Sequence, residues 1–116
     1  MAINHVSICG NLTADPIKRG TAENPILNFS IAVNSRKKDG ENWVYVPNFF
    51  DCAIFGKRAS ALSGILCKGM KVAIDGELRW SQWEKDGKKH SKVDIFVNEI
   101  VLMAAPKEEQ KDNIPW

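Results

Sequence analysis

The chain reads as an all-β fold: a five-stranded Greek-key barrel with one α-helix between the third and fourth strands. Three observations predict it. Apolar residues recur with a period of two along almost the whole length. Two Asp-Gly pairs punctuate the long alternating runs. A single stretch, Lys57–Lys68, changes to helical spacing. The chain's 116 residues have room for one domain. With 44% hydrophobic and 26% charged residues it has the profile of a globular domain rather than a disordered one.

The first strand sets Val6, Ile8, Gly10 and Leu12 against His5, Ser7, Cys9 and Asn11. Asp15-Pro16 and the stretch from Gly20 to Pro25 then mark a long loop. The second strand places Leu27, Phe29, Ile31 and Val33 on its inner face. A turn at Lys38–Glu41 leads to a third strand from about Trp43 to Phe55, where Pro47 marks an edge or a bulge. In the segment that follows, Leu62, Ile65 and Leu66 give a helix of about three turns, with Gly69 at its C′ position. The fourth strand, Met70 to about Trp83, turns Val72, Ile74, Gly76, Leu78 and Trp80 inward, which makes Trp80 a core residue. After Asp86-Gly87 the fifth strand shifts parity between Val97 and Ile100, as a bulge near Asn98-Glu99 would make it do. The residues beyond Ala105 are charged and amide-rich. The chain therefore divides into a barrel over 1–105 and a flexible tail over 106–116. The order β-β-β-α-β-β is that of the OB-fold.

Composition excludes several function classes. No apolar run is long enough to span a bilayer, and residues 1–10 show no export signal, so a cytoplasmic setting and no membrane partner are expected. Cys9, Cys52 and Cys67 are odd in number and widely spaced, which argues against a disulfide framework or a metal site, and no cofactor is expected. His5 and His90 lack a nucleophile pattern, and no phosphate-cradling or metalloprotease motif is present, so catalysis is not expected. Asp75 and Glu77 share a strand face as a nuclease pair would, but a solvated charged stripe accounts for them. Residues 1–106 carry 14 basic and 11 acidic side chains, a mildly basic body suited to an anionic partner.

Parity singles out one more feature. If Phe50, Cys52 and Ile54 point inward, then Phe49, Asp51, Ala53 and Phe55 point outward, and two large rings on a wet face need a reason. Trp43, Phe49, Phe55 and Trp83 alternate with Lys57, Arg58, Lys68, Lys71 and Arg79. Rings stack on unpaired bases and cations follow phosphates, so this mixture fits a single nucleic-acid strand, with packing between protein copies as the rival explanation. Arg36, Lys37 and Lys38 in one hairpin, and Lys85, Lys88 and Lys89 in the other, could reach over a bound strand as basic arms.

Several linked motifs then resemble the single-stranded DNA-binding proteins of bacteria and their phages over about residues 3–103. They are Asn4–Pro16, Asn28–Asn34, Ile54-Phe55-Gly56-Lys57, Leu66–Gly69, Asp75–Arg79, and Trp83 ahead of Asp86-Gly87. The resemblance implies a homotetramer of OB-folds that binds single-stranded DNA without sequence preference in replication, recombination and repair. It also implies stacking by Phe49, Phe55 and Trp83, basic contacts from Lys57, Lys68 and Arg79, and subunit contacts from the first strand around Asn4–Gly10. Two departures point to weaker or differently routed binding. Lys37 stands where many members carry an aromatic, leaving Trp43 or Trp80 as substitutes, and Asp51 stands where a basic residue is common and would repel phosphate. The end, Asp112-Asn113-Ile114-Pro115-Trp116, is similar to the family's acidic tip. Its terminal aromatic and carboxylate make Asp112, Ile114, Pro115 and Trp116 the expected docking peptide for replication and repair proteins. The near absence of a linker hints at a phage-encoded or specialised member. An OB-fold interaction module of a replication-restart complex, with only weak DNA binding, is the alternative.

Overall fold

The computed structural model describes residues 2–104, so the expected tail and its residues Asp112, Ile114, Pro115 and Trp116 lie outside the described residues. Six strands and one helix follow in the order β1 (Val6–Leu12), β2 (Ile17–Gly20), β3 (Pro25–Asp39), β4 (Asn42–Phe55), α1 (Lys57–Ser63), β5 (Lys71–Lys85) and β6 (Lys88–Ala104). Strands β1, β5, β6, β4 and β3 are joined edge to edge, and β1 returns to pair with β3, which closes a five-stranded barrel. This is the OB architecture that the element order predicts.

The period-two residues fill the barrel. Leu27, Ile31, Ile54, Val72, Ile74 and Ile95 are all at most 2% exposed, and Ala59 and Leu66 cap this core from the helical segment. Gly10 sits where β1 crosses to β3. A side chain there would stand 2.5 Å from the Ala32 carbonyl oxygen, so the closure needs glycine. Both hairpins turn over two residues. The β3–β4 turn has Gly40 at φ 66°, and the β5–β6 turn has Asp86 and Gly87 at φ 54° and 77°, the paired left-handed conformations that match strand twist. The bulge expected near Asn98 is present: Asp75 faces Glu99 while Gly76 faces Val97, which leaves Asn98 unopposed. Pro47 stands opposite Asn34 in a stretch of β4 that has no β6 neighbour, as a residue without an N–H requires.

Four expectations need correction. The long loop before β3 contains an extra strand, β2, which pairs with Pro25–Asn28 along the edge of β3. All four of its residues are exposed, so no apolar alternation announces it. The helix is shorter than expected: it spans seven residues and stops at Gly64 instead of continuing to Lys68. The chain then has to return to the barrel, where the Gly69 amide donates to the Leu12 carbonyl and the Leu12 amide to that of Met70. Trp80 is 63% exposed and Leu78 and Val93 are also open, so Trp80 is not core. The β5–β6 hairpin runs on past the barrel, and a strand beyond its barrel has no inside. Ala53, expected outward, is buried. Its register partner on β6 is Phe96, whose ring packs against Phe55, two residues on from Ala53.

Candidate nucleic-acid interface

The strand registers bring one face of β5, β6, β4 and β3 into a single curved surface. Arg79 stands opposite Asp94 and Trp83 opposite His90 across β5–β6. Ala53 pairs with Phe96 across β4–β6, and Ala32 with Phe49, Arg36 with Tyr45 and Lys38 with Trp43 across β3–β4. Side chains alternate between faces, so Trp43, Tyr45, Phe49 and Phe55 form one stripe along β4. They are 57%, 73%, 65% and 44% exposed.

Cations flank these rings. The Arg36 guanidinium lies 4.9 Å over the Trp43 ring at the tip of the first hairpin. On the barrel wall the Arg79 guanidinium lies 4.7 Å over Phe96, whose other neighbour is Phe55, with ring centroids 4.7 Å apart and tilted by 46°. Arg79 also pairs with Glu77. At the second hairpin the Trp83 indole stacks on His90 at 5.6 Å, leaving its other face open. Lys57 opens α1 directly after Phe55-Gly56, and Gly56, at φ 86°, makes the sharp exit from β4 that no other residue adopts easily.

A cleft of about 390 Å³ lies on the same surface, lined by Arg19, Asn28, Ser30, Asp51, Lys92 and Asp94 among others. The Lys92 ammonium sits 2.7 Å from Asp51 and 3.3 Å from Asp94. The hydrogen bond that Lys92 donates to Asp51 holds the Lys92 pKa above the usual lysine range. The Asp94 Oδ1, although within ion-pair distance, has no aligned donor. Beneath the cleft the Cys52 thiol is pushed up to about 12 by burial, with the charges of Asp51 and Asp94 adding to the effect.

Most of the expected contact residues therefore converge: Trp83, Phe55, Phe49, Trp43 and Arg79 share the surface, with Lys57 adjoining. Lys68 stands apart from the rings. Its backbone amide donates to the carboxylate of Asp15 at 2.8 Å, and Asp15 in turn lines the cleft. Lys37 does not converge. It is opposite Val44, one step out of phase with Arg36 and Lys38, and so falls on the reverse face. Glu77 pairs with Arg79, and the Asp75 carboxylate lies 3.0 Å from the His5 imidazole. No group of metal-holding residues occurs among the described residues. Sequence reasoning missed Tyr45, Phe96, Lys92 and His90. The first two were legible by parity alone, Tyr45 from Phe49 and Phe96 from buried Ile95 and Val97.

Residues 3–103 match the model of the Single-strand binding protein family. The chain belongs to that family. It is 40% identical over 104 residues to the single-stranded DNA-binding protein of Treponema pallidum, covering 89% of this chain and 59% of that protein. The Borreliella burgdorferi protein of the same name is 39% identical over 106 residues, covering 89% and 71%. The crystal structure of the small single-stranded DNA-binding protein from Streptomyces coelicolor superposes with a TM-score of 0.71 at 27% identity, covering 89% of this chain and 96% of that one. The chain thus spans less than two-thirds of the length of its Treponema relative.

Proposed function

We propose that this chain binds single-stranded DNA along the β3–β4–β6–β5 face by stacking and phosphate neutralisation, without reading base edges. One observation carries the reading: four rings from a single strand, with Trp83 across the surface, stand exposed in register beside Arg36, Lys57 and Arg79. A single strand offers both an open π-face and a charged backbone, and among the described residues the one helix spans only seven residues, too short to read a groove. The family membership and the printed names of the relatives support the same ligand. Within this reading the chain protects single strands during replication, recombination and repair as a homotetramer. The Asp112–Trp116 peptide recruits partner proteins independently of the DNA face. These roles follow the family resemblance.

The test is a fluorescence titration with an oligothymidine and a duplex of equal length. Tight binding to the single strand, weakening with salt at a log–log slope near −0.7 per neutralised phosphate, is expected. Equal, weak binding to both ligands would instead favour a protein-interaction module.

A further inference from the structure

We infer that Phe96 on β6 is a positioning residue that couples the base-stacking and phosphate-binding halves of this interface; the inference rests on the proposed DNA-binding reading. Phe96 is the half-buried member of a three-part stack, with the Phe55 ring 4.7 Å away on one side and the Arg79 guanidinium 4.7 Å over it on the other. Its backbone belongs to both ladders that meet here, opposite Ala53 of β4 and Glu77 of β5. It therefore stands where a platform from one strand and a cation from another meet.

The identity of the residue matters physically. An arginine on an exposed strand samples many rotamers and loses that freedom when it grips a phosphate. Over the Phe96 face and beside Glu77, Arg79 is already fixed, with part of its planar fork free to donate. The same ring braces Phe55 through a tilted aromatic contact, so a base that settles on Phe55 meets a rigid platform. An aliphatic side chain would fill the volume but offer the guanidinium no π-face.

The experiment is a titration of the full chain with an oligothymidine at several salt concentrations, alongside thermal melting. Phe96→Leu is expected to weaken binding roughly 5–30-fold, the combined worth of an aromatic pair and a cation–π contact. Its salt slope should become shallower by about 0.7, one phosphate contact. Phe96→Tyr should restore both. Arg79→Lys, which keeps the charge but not the plane, should lose affinity as Phe96→Leu does, and this variant leaves Phe96 in place if the leucine variant does not fold. Three results would overturn the inference: Phe96→Leu with wild-type affinity and slope, a loss that tracks a lower melting temperature at unchanged slope, or Arg79→Lys binding like wild type. Absence of binding by the wild-type chain would instead overturn the DNA-binding reading itself.

Discussion

The Lys92 ammonium and the Asp51 carboxylate meet at 2.7 Å in the floor of the cleft. Asp51 is therefore not the isolated negative charge that the sequence presents. A cation from the next strand but one in sequence answers it, and Asp94 completes a triad of net charge −1. Substituting Asp51→Asn removes one acid and leaves Lys92 freer to meet a phosphate. Binding to an oligothymidine should tighten and its salt dependence should steepen. Stability should change little, because a half-exposed ion pair contributes only about 0–1 kcal/mol. An unchanged affinity and slope would show that no phosphate passes this point.

Trp83 offers one open face, the other being covered by His90. Trp83→Ala should weaken single-strand binding by ~1–3 kcal/mol. The melting temperature should hold, since both residues are exposed on a hairpin that projects from the barrel. If affinity survives the substitution, Trp83 is not a stacking platform.

Tyr45 extends the β4 stripe towards the hairpin tip and is more exposed than Phe49. Tyr45→Ala should therefore weaken binding of long oligonucleotides while sparing short ones that the barrel face alone accommodates. Equal losses at every length would place Tyr45 within the central site and contradict this path. Trp43→Ala should behave in the same way, because Arg36 fixes Trp43 to the same tip.

Alkali should expose the burial of Cys52. Its native pKa of about 12 lies above the ordinary thiol value. The unfolded chain therefore releases this proton first as pH rises, and stability falls between about pH 9 and 12. Lys92 acts in the same direction: its raised pKa gives a contribution present below the ordinary lysine value and lost as pH rises through the native one. Urea midpoints across this range should fall, and Cys52→Ala should flatten the decline while lowering stability throughout. Iodoacetamide should label Cys52 only in denaturant. Rapid native labelling of Cys52 would contradict its place in the core.

How much of this was legible in the sequence follows from where alternation has physical meaning. Inside the barrel one face is dry, so Leu27, Ile31, Val72 and Ile74 could be assigned from spacing alone. Beyond the barrel both faces are wet, and the same rule misassigned Trp80. β2 went unseen because an edge strand with four exposed residues carries no pattern. The helix was overextended because Ile65 and Leu66 continue the spacing, although Gly64 ends the turns. The site was legible strand by strand, in Phe49, Phe55, Trp83 and Arg79. Parity could turn Phe96 outward, but that it meets Phe55 and Arg79, and that His90 meets Trp83, depends on registers that only the folded sheet sets.

The barrel is sealed by two short clasps, Asn11–Leu12 against Ala32–Ile31 and Cys52–Ala53 against Ile95–Phe96, whereas each long hairpin is laddered from end to end. The hairpins can zip up locally, and the clasps must wait for distant parts of the chain to meet. Fluctuations that part the hairpins would thus tear the ligand surface along the line through Phe96. A polynucleotide lying across that line acts as a suture, and amide hydrogen exchange at Ala53 and Phe96 should slow more on binding than exchange within either hairpin.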